Sequence, residues 1–382
     1  MTLWNDIRKL AMKQCSNVTI EQESAFTLIE VMLALGIIVV LSTVGFLNLS
    51  SFLGSRYVRT GLEETSSVLL EARTRATTGQ DGQAWGVRLS SSDNPRRYEL
   101  FFGSSYDPLA VEQTYFLSRG VKFSEPSAGV VFDALFRPVF GTLPSAKVLS
   151  LHGGGGGILG DLILHAPGFL TTRLENDVFG YWHLDQGAGS AVPDASPSSF
   201  HGLVSGAVWQ GSSECKAGGC LYFDGSSDNA SGAFSRSLSS FSILGWVRLQ
   251  GSGGNKGALL SLYEGSIGRV YARILGSSRK PSFYTDPPGG VEGATAASTA
   301  LSLDTWHHLA YVYDGVSKKI YIDGVESVSE NAPGLSFSLD SFEIGRSEKD
   351  PLNVLQGFLD EVRVYGRALT PEEVRERYED LR

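Results

Sequence analysis

The segment AFTLIEVMLALGIIVVLS, running from Ala25 to Ser42, constrains this chain more than any other stretch. From Phe26 to Phe46, 21 residues carry a single charge, Glu30. As a helix rising ~1.5 Å per residue, the run covers about 30 Å, the thickness of a bilayer's hydrocarbon core. A secretory signal would start basic, run shorter and place a small-residue cleavage site after the apolar stretch. Here the small residue, Ala25, comes first. Gly36 and Gly45 interrupt the run, and membrane helices tolerate both. The sequence therefore predicts a membrane-spanning helix with an acid inside it. An unpaired carboxylate at depth costs on the order of 3 kcal/mol, so Glu30 reads either as a functional contact or as a group snorkelling to the interface.

The helical pattern continues beyond the apolar run. Val58, Leu62, Thr65, Leu69, Ala72 and Ala76 recur at alternating steps of four and three, which marks one face of an amphipathic helix. Arg56, Arg59, Glu63, Glu64, Arg73 and Arg75 fall on the other faces, and TTGQDG stops the pattern. The result is one helix of about fifty residues, half apolar throughout and half suited to packing on a domain.

The contiguous pattern of a small residue, then Phe-Thr-Leu-Ile-Glu, then an apolar helix resembles the N-terminus of type IV prepilins and type II secretion pseudopilins. The resemblance implies a leader over residues 1–25 and a filament-core helix over residues 26–79. It implies that a prepilin peptidase cuts between Ala25 and Phe26 and that the new Phe26 amine is N-methylated. Glu30 would then pair with the positive amine of a neighbouring subunit in the assembly. The implied location is the bacterial inner membrane before assembly, then a cell-surface, extracellular filament. The implied partners are other pilin or pseudopilin subunits, the peptidase and the membrane. Two departures stand out: Ala25 replaces the family's preferred Gly, and Glu21 and Glu23 stand where a basic residue is usual. Arg8, Lys9 and Lys13 lie further back and favour a cytoplasmic N-terminus.

Residues 80–174 read as short strands between turn clusters. AWGVRLS alternates Trp85, Val87 and Leu89 with smaller or polar neighbours, and RRYELFFG does the same with Tyr98, Leu100 and Phe102. An antiparallel sheet packed on the preceding helix follows from this pattern. The stretches VVFDALFRPVFG and GDLILHAPGFL resemble the H-type (GspH/FimT-like) minor pseudopilins over about residues 56–172. The five glycines of LHGGGGGILGD lack the Lys-Ser/Thr pair of a phosphate loop and read as a hairpin loop. His152 and His165 read as ordinary strand and loop residues.

From residue 175 to 382, strand-turn units repeat at a spacing that implies a two-sheet sandwich of about ten to fourteen strands. Trp182, Trp246 and Trp306 lie within apolar strands and read as core. The closing LTPEEVRERYEDL is a short helix by its own chemistry, with Thr370 as N-cap, Pro371 at the first helical position and Glu373 completing a capping box. Three cysteines are present. In an oxidising compartment Cys215 and Cys220 read as a short-loop disulfide, and in a reducing one as two thiols. The consecutive His307 and His308 face opposite ways in a strand and so do not chelate one metal together.

GYWHLDQGAGSAVPDASPSSFHG, GGCLYFDGSSDN, FSILGWVRL, TWHHLAYVYDG, KIYIDGV and GFLDEVRVYGRALTPEEV together resemble the laminin-G-like, concanavalin A-like jelly rolls. The expected fold is thus an α+β pilin, a long N-terminal helix packed on an antiparallel sheet, followed by an all-β jelly-roll sandwich. The resemblance implies recognition more often than catalysis. Asp224, Asp228 and Asp360 match positions that often carry acids in the family and are candidate calcium ligands; the alternative is turn-forming residues satisfying local backbone. Trp209, Tyr263 and Tyr284, nearer loops, are the candidates for stacking on a sugar. Asp360 and Glu361 are adjacent, so strand alternation puts them on opposite faces and denies them the role of a glycosidase pair.

A net charge of −9 leaves no basic stripe to neutralise phosphates, so nucleic acid is not an expected partner. The function expected is that of a minor type IV pilin or pseudopilin displaying a lectin-like adhesion module for a glycan or protein ligand, and not an enzyme. The alternative is a structural or protein-docking pseudopilin of a type II secretion or DNA-uptake system whose sandwich binds no glycan.

Overall fold

The computed structural model describes residues 28–79, 82–90, 97–117, 121–125, 131–137, 141–143, 146–153, 159–251, 257–290, 293–346 and 354–382. Ala25 and Phe26 lie outside the described residues. Of Glu30 only the helical backbone is described. The chain divides into two compact units, residues 1–49 and 50–382.

Helix α1 spans Leu28–Thr77, 50 residues as the sequence pattern predicts. In the first unit its described side chains Ile29, Met32, Leu33, Leu35 and Ile37 are exposed. The expected membrane span requires correction: among the described residues no helix is long and apolar enough to cross a membrane. The second half of α1 carries Arg56, Arg59, Glu63, Glu64 and Arg73. The expected inner-membrane placement falls with that span.

In the second unit α1 is followed by β1 (Trp85–Ser90), β2 (Arg97–Phe102), β3 (Val111–Phe116), β4 (Val121–Glu125), β5 (Val131–Phe136), β6 (Lys147–Gly153), β7 (Leu159–Leu164) and β8 (Leu170–Glu175). They form two antiparallel four-stranded sheets, ordered β3-β2-β1-β5 and β4-β6-β7-β8. The sequence predicts one sheet here, because period-two alternation finds strands but does not say which of them pair. Val58, Leu62, Leu69, Ala72 and Ala76 share one buried cluster with Trp85, Val87, Leu100, Phe123, Leu149 and Leu162. The close approach depends on Gly160 in β7, where a Cβ would lie 2.5 Å from a Val58 methyl.

Among the described residues the sandwich contains sixteen strands: β9 (Val178–Trp182), β10 (Ala191–Val192), β11 (Gly202–Ser205), β12 (Val208–Gln210), β13 (Cys220–Asp224), β14 (Asn229–Leu238), β15 (Phe241–Leu249), β16 (Gly257–Glu264), β17 (Ile267–Leu275), β18 (Lys280–Thr285), β19 (Gly293–Ala296), β20 (Trp306–Tyr313), β21 (Ser317–Ile322), β22 (Val325–Asn331), β23 (Phe337–Ile344) and β24 (Gln356–Tyr365). One sheet runs β10-β11-β14-β23-β16-β17-β18-β19 and the other β12-β13-β24-β15-β20-β21-β22, with β9 added beside β24. Two-residue β10 and three-residue β12 are too short for alternation to reveal, which explains the excess over the expected count. Trp182, Phe234, Phe283, Tyr311 and Phe342 fill the space between the sheets. Helix α2 (Pro371–Glu379) closes the chain with the predicted capping box, Thr370 with Glu373.

The outer face of the sheet that holds β24 packs on β6 and β7. Leu159 joins a cluster with Tyr181, Leu244, Tyr365 and Val374, while Val148 and Ile163 join Trp246 and Leu381. Within this apolar seam Arg363 of β24 lies 3.2 Å from Asp161 and 3.3 Å from Glu175, and Arg377 of α2 lies 2.6 Å from Glu175.

Candidate functional site

The strands of the sheet that holds β16, β17 and β18 have a core side and an outer side, although β16 shifts register twice against β17. On β16 Leu259, Leu260 and Leu262 turn inward, and on β17 Val270, Ala272 and Ile274 do so. That leaves Tyr263, Tyr271 and Arg273 on the outer face, joined there by Tyr284 of β18 and Glu343 of β23. The ladders put Ser261 opposite both Glu343 and Tyr271, and Tyr271 opposite Tyr284. The sequence reading selected Tyr263 and Tyr284 from this face. It missed Tyr271, Arg273 and Glu343, whose signal is shared parity along neighbouring strands, and Arg346, which follows β23.

The rings of Tyr271 and Tyr284 stack at 5.0 Å with 21° between planes, and Tyr263 meets Tyr271 edge-on at 6.0 Å. The Arg273 guanidinium sits 4.9 Å from the Tyr284 centroid. Beside them Glu343 accepts hydrogen bonds from the Tyr263 hydroxyl at 2.9 Å, from Arg346 Nη2 at 2.6 Å and from Arg346 Nε at 3.2 Å. That pairing raises the Arg346 pKa above its ordinary value against the opposing effect of burial. Tyr263 is fully buried, so it anchors Glu343 and offers no ring to a ligand, whereas Tyr284 is half-buried. Trp209 lies apart, on β12 of the other sheet, where its indole donates to Gly189 O at 2.7 Å. Tyr271, Arg273 and Glu343 are buried as well, so Tyr284 is the phenol of this set that can stack on sugar C–H groups, backed by the Tyr271 ring.

Asp224, Asp228 and Asp360 are not brought together. Asp224 is opposite Gln356 in the ladder, so Asp360 lies four residues further, about 14 Å along the strand. Each is engaged locally. Asp224 accepts from Ser226 N at 2.7 Å, Asp228 from Asp224 N at 2.9 Å, and Asp360 from Lys216 N and Ala217 N, both at 2.9 Å. Hydrogen bonds from Ser226 hold the Asp224 carboxyl below its usual range, while burial raises Asp228 and, together with the Glu361 charge, Asp360. Among the described residues no group of three His, Cys, Asp or Glu is placed to hold a metal. These three do not fit a calcium ion as a set. The Cys215–Cys220 disulfide is formed, with Cα atoms 5.4 Å apart, and it closes the loop that supplies the Lys216 and Ala217 amides to Asp360.

Asp360 and Glu361 do not alternate as the sequence predicts. Arg363 pairs with Leu244 and Asp360 with Trp246, so Glu361 and Val362 together face Gly245 in a β-bulge. Glu361 adopts φ 54°, and its carboxylate joins Asp360 and Arg363 on the side away from the sandwich core. There His183 Nδ1 meets Glu361 Oε1 at 2.9 Å and its Nε2 meets Ser150 Oγ at 3.0 Å. The arrangement has the outline of a Ser-His-acid relay. It is enclosed: Ser150, His183 and Glu361 are at most 3% exposed, and Ser150 donates its proton to Asp161 at 2.6 Å. This cluster joins the seam between the sandwich and β6–β7, out of reach of substrate.

Comparison with known proteins bears on this half of the chain. Residues 221–375 match the family model of the concanavalin A-like lectin/glucanases superfamily, laminin G type. The C-terminal sandwich is a concanavalin A-like, laminin G-like domain. Domain 4 of AbnA, a GH43 extracellular arabinanase from Geobacillus stearothermophilus, in complex with arabinotriose, is 19% identical, with 52% of this chain and 97% of that chain covered at a TM-score of 0.43. The binding domain of Paraclostridial Mosquitocidal Protein 1 is 14% identical, with 53% and 52% covered at 0.42. The botulinum neurotoxin serotype D ligand binding domain in complex with N-acetylneuraminic acid is 14% identical, with 53% and 50% covered at 0.42. The chain thus spans about half the length of the two toxin domains. No curated protein matches the chain significantly.

Proposed function

We propose that the protein is a minor pilin or pseudopilin whose jelly roll is a glycan-binding module, with the outer face of the sheet that holds β16, β17 and β18 as its binding surface. The observation that carries this reading is the Tyr271–Tyr284 stack, flanked by Arg273 and the Glu343–Arg346 pair, on a domain of the lectin and glucanase type. Binding without hydrolysis is the better reading. Asp360 and Glu361 are enclosed, and Glu343 is already held by Arg346 and Tyr263. The filament part rests on the sequence alone: cleavage between Ala25 and Phe26, methylation of the Phe26 amine, and pairing of that cation with Glu30 of a neighbouring copy.

Two measurements test the two parts separately. On an oligosaccharide array the full-length protein should retain at least one ligand, and Tyr284→Ala should weaken it about tenfold, the loss of ~1.4 kcal/mol expected from one stacking contact. Equal binding by the variant overturns the surface, and the absence of any glycan ligand overturns the module's role. Mass spectrometry of the mature protein should find a methylated Phe26 at the N-terminus, and Glu30→Val should reduce recovery in filaments. An unprocessed leader removes the filament part and leaves the binding part standing.

A further inference from the structure

A cavity of about 520 Å³ opens between the two sheets at their β18–β19 and β21–β22 edge. Small-ligand clefts occupy about 300–1,000 Å³. Pro287, Gly290, Pro333 and Gly334 form its walls, with Lys318 and Glu330 among its lining. The outer-face residues described above take no part in it.

Lys318 decides what the cavity can hold. It stands on β21 two residues before the core residue Ile320, so its side chain runs between the sheets, and it is only 3% exposed. Its Nζ donates to Gly293 O at 3.1 Å and reaches Thr285 Oγ1 at 3.5 Å. An ammonium carries three donors, and among the described residues these are the two acceptors it meets. Glu330 is its cross-strand neighbour, yet the Glu330 carboxylate takes the Thr295 hydroxyl instead of pairing with Nζ. Burial draws the Lys318 pKa below the usual lysine value, with Glu330 opposing. A cation sunk this far without a carboxylate partner is costly, and an incoming anion would offset the cost.

We propose that this rim cavity binds the carboxylate of an acidic saccharide, with Lys318 as the cation that selects it. Proline C–H faces and glycine-rich backbone carbonyls suit a sugar ring and its hydroxyls. The described lining has one large apolar side chain, Leu335, which leaves little for the side chains of a peptide acid. The competing structural reading makes Lys318 a strut between the two sheets.

Calorimetric titration of the full-length protein with tri-galacturonate, neutral galactotriose and triglycine separates these readings. The uronate should bind at least tenfold tighter than either of the others. Lys318→Met, which keeps the stem length, should abolish that difference. Glu330→Gln, on the exposed strand, should tighten uronate binding two- to threefold by removing a repelling charge, and it keeps the test informative if the lysine variant fails to fold. Tyr284→Ala, on the other face, should leave uronate binding unchanged. The proposal is overturned by no heat with uronate, by equal binding of galactotriose or triglycine, by no effect of a folded Lys318→Met or of Glu330→Gln, or by a loss at Tyr284 instead of Lys318.

Discussion

His308 is fully enclosed against the rings of Trp246 and Tyr378, and burial, then the charge of Arg363, holds its pKa down to about 3 although Asp323 opposes them. An unfolded chain takes up that proton near pH 6.5, so the folded state loses stability as pH falls from about 6.5 and stops losing it near 3. His308→Gln should flatten this limb, reducing the difference in unfolding free energy between pH 7 and pH 4.5 by roughly 2 kcal/mol. Denaturant titrations at the two pH values measure it, and an unchanged difference would remove His308 as the source. Glu373 acts lower on the scale. Its hydrogen bonds from Arg367 hold its pKa to about 2, so its contribution is present above 4.5 and is lost between 4.5 and 2.

At the scale of elements, local chemistry was readable where partners are close in sequence. Helix α2 announced itself through Thr370, Pro371 and Glu373 within four residues, and the disulfide through two cysteines five residues apart. The two faces of β17 and β18 follow simple alternation, whereas β16 shifts register twice. What alternation cannot supply is the neighbour across the ladder, and so Glu343 went unnoticed although it lies opposite Ser261, two residues from Tyr263. The bulge in β24 was hidden for another reason. Left-handed backbone is usually signalled by glycine or asparagine, and here the residue at φ 54° is Glu361, held by Tyr181, His183 and Arg363. That one backbone departure reversed the expected facing of an acid.

At the scale of the whole second unit, the least legible feature is the seam between the sandwich and β6–β7, because its charges come from stretches about two hundred residues apart. Glu175 and Arg377 are 202 residues apart in sequence and 2.6 Å apart in space. Asp161, Glu175 and Glu361 surround Arg363, so removing one acid leaves buried positive charge uncompensated. Glu175→Gln should cost about 3–5 kcal/mol, read as a lowered midpoint of one cooperative transition for residues 50–382. Two separate transitions, with only one of them displaced, would show the seam to be dispensable. For the same reason a chain cut at residue 176 should be poorly folded, since it exposes Leu244, Trp246 and Tyr365 and strands Arg363 and Arg377.

The seam also fixes the sandwich on its neighbour. β24 belongs at once to the sandwich interior and to the charged joint, so the sandwich has no swivel relative to β6–β7. In an array of copies of this unit, such as the one proposed above, avidity for a polymeric ligand would depend on whether the polymer's repeat matches the spacing of the copies: a matched chain engages many together, and a mismatched one is held by a single weak contact.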